Sequence, residues 1–300
     1  MSNSPRPIVI LGTGRSFTSV INCMIGEHPN LIGLPETNIF REDTVGALLQ
    51  LYSRGRKRRR SGLLRTIAHF HDGEQTEATI IAAEKFLDAH SDWSFLEITR
   101  YLEKLTAPYG SVEKSISTCR DTTTLARVRE AWPDAFYIHI TRQPESIINS
   151  MQNRIDDALE QGRATGLNKK LKKFSLDDYY IHFTSTILDF MDTLPLGQSI
   201  NLHGEDFLSD APTYLKQICE WMGLDSGAAA INAMMHPENS PFAHLGPANA
   251  QAGMSLSFLK NPAFSGKPVT VKPLVHGAHR HDLTEKQSTI AHLGSQLGYI

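Results

Sequence analysis

The chain has 300 residues, 40% of them hydrophobic, which is ample for a sizeable buried core and excludes global disorder. Thirty Lys and Arg against 32 Asp and Glu give a formal net charge of −2, so no bulk charge draws the chain to nucleic acid or to an anionic membrane. Three widely separated cysteines, Cys23, Cys119 and Cys219, exclude a disulfide scaffold and a cysteine-based zinc finger and fit a reducing, cytoplasmic setting.

In chain order, the apolar run Ile8-Val9-Ile10-Leu11 reads as a strand buried on both faces of a parallel sheet. At four residues it is too short for a signal-peptide core, and no later stretch approaches the roughly 18–20 apolar residues of a transmembrane helix. Gly12-Thr13-Gly14 stops the strand, and Val20, Ile21, Met24 and Ile25 then recur at helical spacing up to Gly26. A short apolar piece, Leu31 to Leu34, follows. Residues 63–105 and 167–194 read mostly as amphipathic helix, either walling an acceptor pocket or simply covering the sheet. Ala135 to Thr141 reads as a second buried strand. Pro144 and Glu145 open the next helix, where a missing N–H costs nothing and a negative charge meets the positive dipole end. A third strand, Ser199 to Leu202, precedes a helix carrying Leu215, Ile218, Cys219 and Met222 that closes at Gly223. Strands alternating with helices predict an α/β fold, a three-layer sandwich around a mainly parallel sheet with added helices. From 236 to 282 periodicity is lost and six of the fifteen prolines appear, as in a lid or tail. One domain over 1–300 is expected, with its core at 7–223.

The segment Gly14-Arg15-Ser16-Phe17-Thr18-Ser19 sits where a strand feeds a helix, a position whose free N–H groups and positive dipole end favour an anion. Gly is missing at position 17, which excludes the dinucleotide fingerprint, and no G-x-x-x-x-G-K-[ST] loop is present. A guanidinium followed by three hydroxyls can instead bind a phosphate or sulfonate without a metal, although a purely structural glycine turn fits the same residues. At the second strand end, Arg142 and Ser150, eight positions apart, can converge on another anion at the sheet edge where α/β proteins bind ligands.

These motifs together resemble the cytosolic and Golgi-type sulfotransferase superfamily, whose donor is 3′-phosphoadenosine-5′-phosphosulfate (PAPS). Arg15-Ser16-Phe17-Thr18-Ser19 resembles that family's 5′-phosphosulfate loop, [KR]-S-G-T-[TS], and Arg142-Gln143-Pro144 through Ser150 resembles its 3′-phosphate motif. His28-Pro29-Asn30 to Pro35-Glu36-Thr37 resembles the "HP…ET" stretch of tyrosylprotein and many bacterial members. Glu113-Lys114-Ser115 resembles the family's EK[ST] strand end, and Gly204-Glu205-Asp206-Phe207 its YEDL segment. Phe17 stands in place of the loop glycine, and Gln143 in place of an aspartate.

The resemblance implies a P-loop-containing nucleoside-triphosphate-hydrolase-like fold and sulfuryl transfer to a hydroxyl or amine of a small-molecule, saccharide or peptide acceptor. It implies that Gly14, Arg15, Ser16, Phe17, Thr18 and Ser19 hold the 5′-phosphosulfate and that Arg142 and Ser150 hold the 3′-phosphate. Arg15 and Lys114 would neutralise the leaving group, and Glu36 would act as general base. The product would be 3′-phosphoadenosine-5′-phosphate (PAP), with no metal, and a homodimer is left open. The strand ending at Ile140-Thr141 lacks a Walker-B aspartate, which weighs against an ATP-dependent P-loop kinase. A non-catalytic nucleotide-binding protein is the third reading. Beyond these motifs, Arg54 to Arg60 gathers six positive charges in seven residues, which reads first as a solvated helix face or loop and otherwise as a site for an anionic acceptor, an acidic lipid surface or RNA. His276, His279 and His281 have a metal-like spacing that no carboxylate or cysteine completes.

Overall fold

The computed structural model describes residues 4–53, 57–160, 175–267, 269 and 284–299. Five parallel strands form one sheet in the order β2-β3-β1-β4-β5: β1 (Ile8–Leu11), β2 (Leu31–Gly33), β3 (Gly110–Glu113), β4 (Phe136–Thr141) and β5 (Ser199–His203). The apolar run of β1 is fully buried because its alternating residues enter two different cores. Val9 and Leu11 pack with Tyr137, Leu125 and Ile187 on one face. Ile8 and Ile10 pack with Ile138, Ile21, Met24 and Phe207 on the other.

Helices cover both faces, which makes the three-layer sandwich. The second face carries α1 (Thr18–Gly26), α9 (Gly204–Ser209) and α10 (Ala211–Met222). The first carries α2 (Val45–Leu51), α3 (Ser61–Asp72), α4 (Glu77–Ala89), α5 (Phe95–Thr106), α6 (Thr122–Ala131) and α8 (Leu176–Met191). The amphipathic stretch over 63–105 is therefore three helices, and Thr76 and Ser94 start two of them with reciprocal capping boxes. Helix α7 (Pro144–Glu160) follows β4 and packs against α8, which also meets α13 (Glu285–Gln296).

Within the expected lid or tail, the described part is folded onto the body. Phe242, Ala243, Met254 and Leu259 form a cluster with Cys23 of α1 and Leu34, and Leu256–Lys260 is a short helix, α12, preceded by α11 (Ala228–Met234). Buried Arg65 of α3 holds the segment: its guanidinium donates to the carbonyls of Ala252 (3.0 Å) and Phe242 (3.3 Å) and to Gln75. His276, His279 and His281 lie outside the described residues. No helix among the described residues is long and apolar enough to cross a membrane.

Candidate active site

All five strands point their carboxyl ends at the same edge, and each predicted site element lies at or just beyond one of them. After β1 the chain turns through residues 12–17 into α1. Gly12 is needed for close approach, since a Cβ there would lie 2.9 Å from the Ile140 carbonyl oxygen of β4. Arg15 and Phe17 both adopt left-handed backbone, at φ 77° and 61°. The position where the family pattern carries glycine is therefore in a glycine conformation, and Phe17 occupies it under strain. Its ring lies over the Arg142 guanidinium, 4.4 Å from centroid to Cζ. Gly204, just past β5, leaves the room: a Cβ there would stand 2.7 Å from the Phe17 ring.

The loop hydroxyls are partly engaged inside the protein. Ser16 and Thr13 share a hydrogen bond of 2.7 Å, and Ser19 Oγ accepts from the Ser255 amide at 3.2 Å, which leaves its own O–H proton for a ligand. Thr18 begins α1 and is buried.

Arg15 is grouped differently from the sequence expectation. Its left-handed backbone sends the side chain towards α7, where Nε donates to Ser150 Oγ at 3.0 Å, and Nη1 reaches Ser255 Oγ at 3.3 Å. Arg142 Nη1 donates to the Arg15 carbonyl at 2.9 Å. Arg15 therefore joins the Arg142 and Ser150 group, whereas the sequence reading put it beside Lys114. Burial lowers the pKa of both arginines, and Arg154 adds to this for Arg15. Arg142 Nε is buried with no partner among the described residues, as expected for a donor awaiting an acceptor. Gln143 has a structural place, its amide donating to Glu205 at 2.9 Å and its side chain accepting from Ser146 at 3.0 Å.

Glu36 and Lys114 are brought together across the ends of β2 and β3. Lys114 Nζ donates to Glu36 Oε1 at 2.6 Å, with the lysine side chain 1% exposed and the glutamate 25%. Lys114 thus pairs with Glu36 in the interior, and not with Glu113 or Asp121 on the surface. Glu113 has another task. Fully buried, it accepts from the Ser115 amide (3.1 Å), the Ser115 hydroxyl and Thr37 Oγ1 (3.2 Å), while Ser115 Oγ accepts from the Asn38 amide (2.9 Å). These bonds fix the two strand ends relative to each other, and burial raises the Glu113 pKa against them. His28 is likewise structural: Nδ1 accepts from the Asn30 amide at 3.1 Å, so Nε2 donates to the Asp225 carbonyl at 2.9 Å.

The model of the Sulfotransferase family matches residues 7–227, which include every site residue that the sequence predicts. The chain belongs to that family. Two solved structures share its fold. The sulfotransferase domain of the Synechococcus PCC 7002 olefin synthase is 20% identical, with TM-score 0.73 over 100% of this chain and 97% of that one. The sulfotransferase domain from the curacin biosynthetic pathway is 19% identical, with TM-score 0.75 over 99% of this chain and 98% of that one. No curated protein matches the chain. The sheet with helices on both faces is accordingly the P-loop-like sandwich of the sulfotransferases.

Two neighbours of the candidate site escaped the sequence. Tyr179 of α8 accepts the Gly14 N–H at 3.0 Å, and burial raises its hydroxyl pKa to about 12, so the proton stays on. The other is the segment around Gly253 and Ser255. Gly253, at φ 116°, accepts the Glu36 amide at 2.6 Å, while Ser255 touches Ser19 and Arg15. The only sequence signal for either was general: an amphipathic helix, and an irregular proline-rich stretch that reads equally as a lid or a tail.

Proposed function

We propose that this chain transfers a sulfuryl group from PAPS to a hydroxyl or amine acceptor, with Glu36 as general base. The observation that carries the reading is the juxtaposition at one sheet edge of a paired Glu36 and Lys114 with a separate group of Arg15, Arg142 and Ser150. The residues fit the donor: two guanidiniums, one with an unpartnered buried Nε, face a serine hydroxyl, and the neighbouring loop ends in the amides and hydroxyls that open a helix.

PAPS, when bound, supplies the sulfuryl group and a nucleotide leaving group. Arg142, Arg15 and Ser150 would grip its 3′-phosphate, and Gly14, Ser16, Phe17, Thr18 and Ser19 would surround its 5′ end. Glu36 Oε1 is occupied by Lys114, so Oε2 takes the acceptor's proton; general-base help of this kind is worth ~10²–10⁴-fold in rate. Lys114 aims the carboxylate and sets a positive charge where negative charge develops on the leaving group. Holding acceptor and donor in line supplies the rest. We further propose that residues 1–300 act as one sulfotransferase domain in the cytoplasm.

Calorimetry of the full chain tests the donor. PAP should bind without Mg²⁺ and roughly 10–100-fold more tightly than AMP, the worth of charge-assisted hydrogen bonds to one phosphate; equal affinities would sink the 3′-phosphate assignment. Glu36→Gln should lower labelled-sulfuryl transfer by at least ~10²-fold while PAP affinity stays within about twofold. Loss of PAP binding in that variant would make Glu36 structural and the mechanism wrong.

A further inference from the structure

Lys57–Arg60 forms a short turn that leads directly into α3. Three of its side chains, Lys57, Arg58 and Arg59, are exposed, while Arg60 pairs with Glu84 at 3.2 Å. This turn adjoins the Glu36 peptide. Asn38 Nδ2 donates both to the Glu36 carbonyl (3.1 Å) and to the Arg59 carbonyl (2.9 Å). Gly62, two residues past the turn, packs so tightly that a Cβ there would lie 2.1 Å from the Glu36 carbonyl oxygen. The charge of Arg59 also acts on the hydroxyls of Tyr52 and Tyr179, and Tyr179 is the partner of Gly14. The basic turn therefore borders the carboxylate side of the site.

Among the described residues, three other cations on that side have carboxylate partners. Lys114 is matched by Glu36, Arg41 by Asp121 at 2.7 Å, and Arg60 by Glu84. Among the described residues, Lys57, Arg58 and Arg59 form no ion pair. The donor would not neutralise them, because its phosphates belong with Arg15 and Arg142 at the ends of β1 and β4, whereas the turn sits beside the end of β2. This exposed rim is free to meet an anion carried by a molecule entering the Glu36 side of the site, and guanidinium forks match carboxylate and phosphate oxygens.

We infer that the rim Lys57-Arg58-Arg59 receives an anionic acceptor, a molecule that carries a carboxylate or phosphate on the same frame as the group that reacts at Glu36. The inference rests on the proposed sulfuryl transfer and names the acceptor class for it. Exposed cations at a site mouth act on capture more than on chemistry, so the signature falls on KM and on salt dependence.

The test titrates pyrophosphate into the full-length protein saturated with PAP, which keeps the probe out of the donor subsite. Pyrophosphate should bind with one-to-one stoichiometry, and the double variant R58Q/R59Q should weaken it about tenfold or more while PAP affinity stays within about twofold. In parallel, labelled transfer is compared for 3-hydroxybutyrate against its methyl ester and for glycerol 3-phosphate against glycerol. The anionic member should show a KM at least about tenfold lower, an advantage lost in R58Q/R59Q. Absence of pyrophosphate binding to the PAP-loaded protein, equal binding to the double variant, or equal use of the neutral partners overturns the inference. Where neither member of a pair is an acceptor, the pyrophosphate titration decides. If PAP itself does not bind, the donor reading fails, and the acceptor assignment falls with it.

Discussion

Phe17 and Gly204 are a matched pair, and Gly204→Ala measures how closely. The added Cβ would stand 2.7 Å from Phe17 Cδ2, well inside van der Waals contact, and 3.1 Å from the Thr141 carbonyl oxygen. Gly204 itself does not lie in left-handed backbone, so alanine meets no conformational penalty there. Overpacking of this kind costs about 1–3 kcal/mol. Replacing glycine at the start of a helix returns less than about 1 kcal/mol. The net expectation is a loss of ~1–2 kcal/mol, or about 2–3 °C in Tm for a chain of this size. The ring must also leave the face of Arg142, from which it now lies 4.4 Å, so PAP affinity should fall too. In a Phe17→Gly background the nearest clashing atom is gone and the 3.1 Å contact with the Thr141 carbonyl oxygen is offset by the gain from replacing glycine, so Gly204→Ala should be neutral to within about 0.5 kcal/mol. The double-mutant cycle, read by thermal melts of all four proteins, should therefore give a coupling of ~1–2 kcal/mol. An equal cost of Gly204→Ala in both backgrounds would refute the reasoning.

Two other perturbations follow from the same structure. Tyr179→Phe strips the Gly14 N–H of its partner, which should cost about 1–3 kcal/mol; an unchanged Tm together with unchanged PAPS affinity would make the contact incidental. Glu27, at the end of α1, has its carboxyl pKa raised to about 7 by burial and then by Glu238. Because the folded state holds this proton more tightly than the unfolded chain, its stabilising contribution is complete below about pH 4.5 and is lost as pH rises through about 7. Glu27→Gln should flatten Tm against pH across that window and raise Tm above it. A profile identical to the parent's would show that Glu27 does not titrate there.

The strand ends were legible because the chemistry is local. A buried apolar run stopped by glycine, or by an arginine and a proline, announces a parallel strand feeding a helix, and β1 and β4 fall where that pattern put them. Lys114 was found by motif, but its partner was not, since Glu36 lies 78 residues earlier and only the pairing of β2 with β3 brings them together. The orientation of Arg15 was hidden for another reason. It depends on a positive φ at a residue whose type does not demand one, and on hydroxyls 135 and 240 positions away. Tyr179 belongs to a helix whose apolar pattern names its buried face without saying which tip reaches a loop amide. The same holds for Gly253 and Ser255, which sit in a stretch without periodicity and act through backbone groups that no side-chain motif records.

Arg65 has a consequence for the order in which this protein is made. It is fully buried, its pKa is lowered to about 10, and no carboxylate among the described residues pairs with it. Its acceptors are Gln75 and two carbonyls 177 and 187 residues further on. During synthesis all five strands leave the ribosome before those carbonyls exist. Until they arrive, a buried Arg65 would have Gln75 alone of its three acceptors. The carbonyl at Gly253 and the serine at position 255, which complete the surroundings of Glu36, Ser19 and Arg15, arrive with the same stretch of chain. The surroundings of Glu36, Ser19 and Arg15 are thus complete only once residues 242–255 are in place, and Arg65 is the side chain that holds them there.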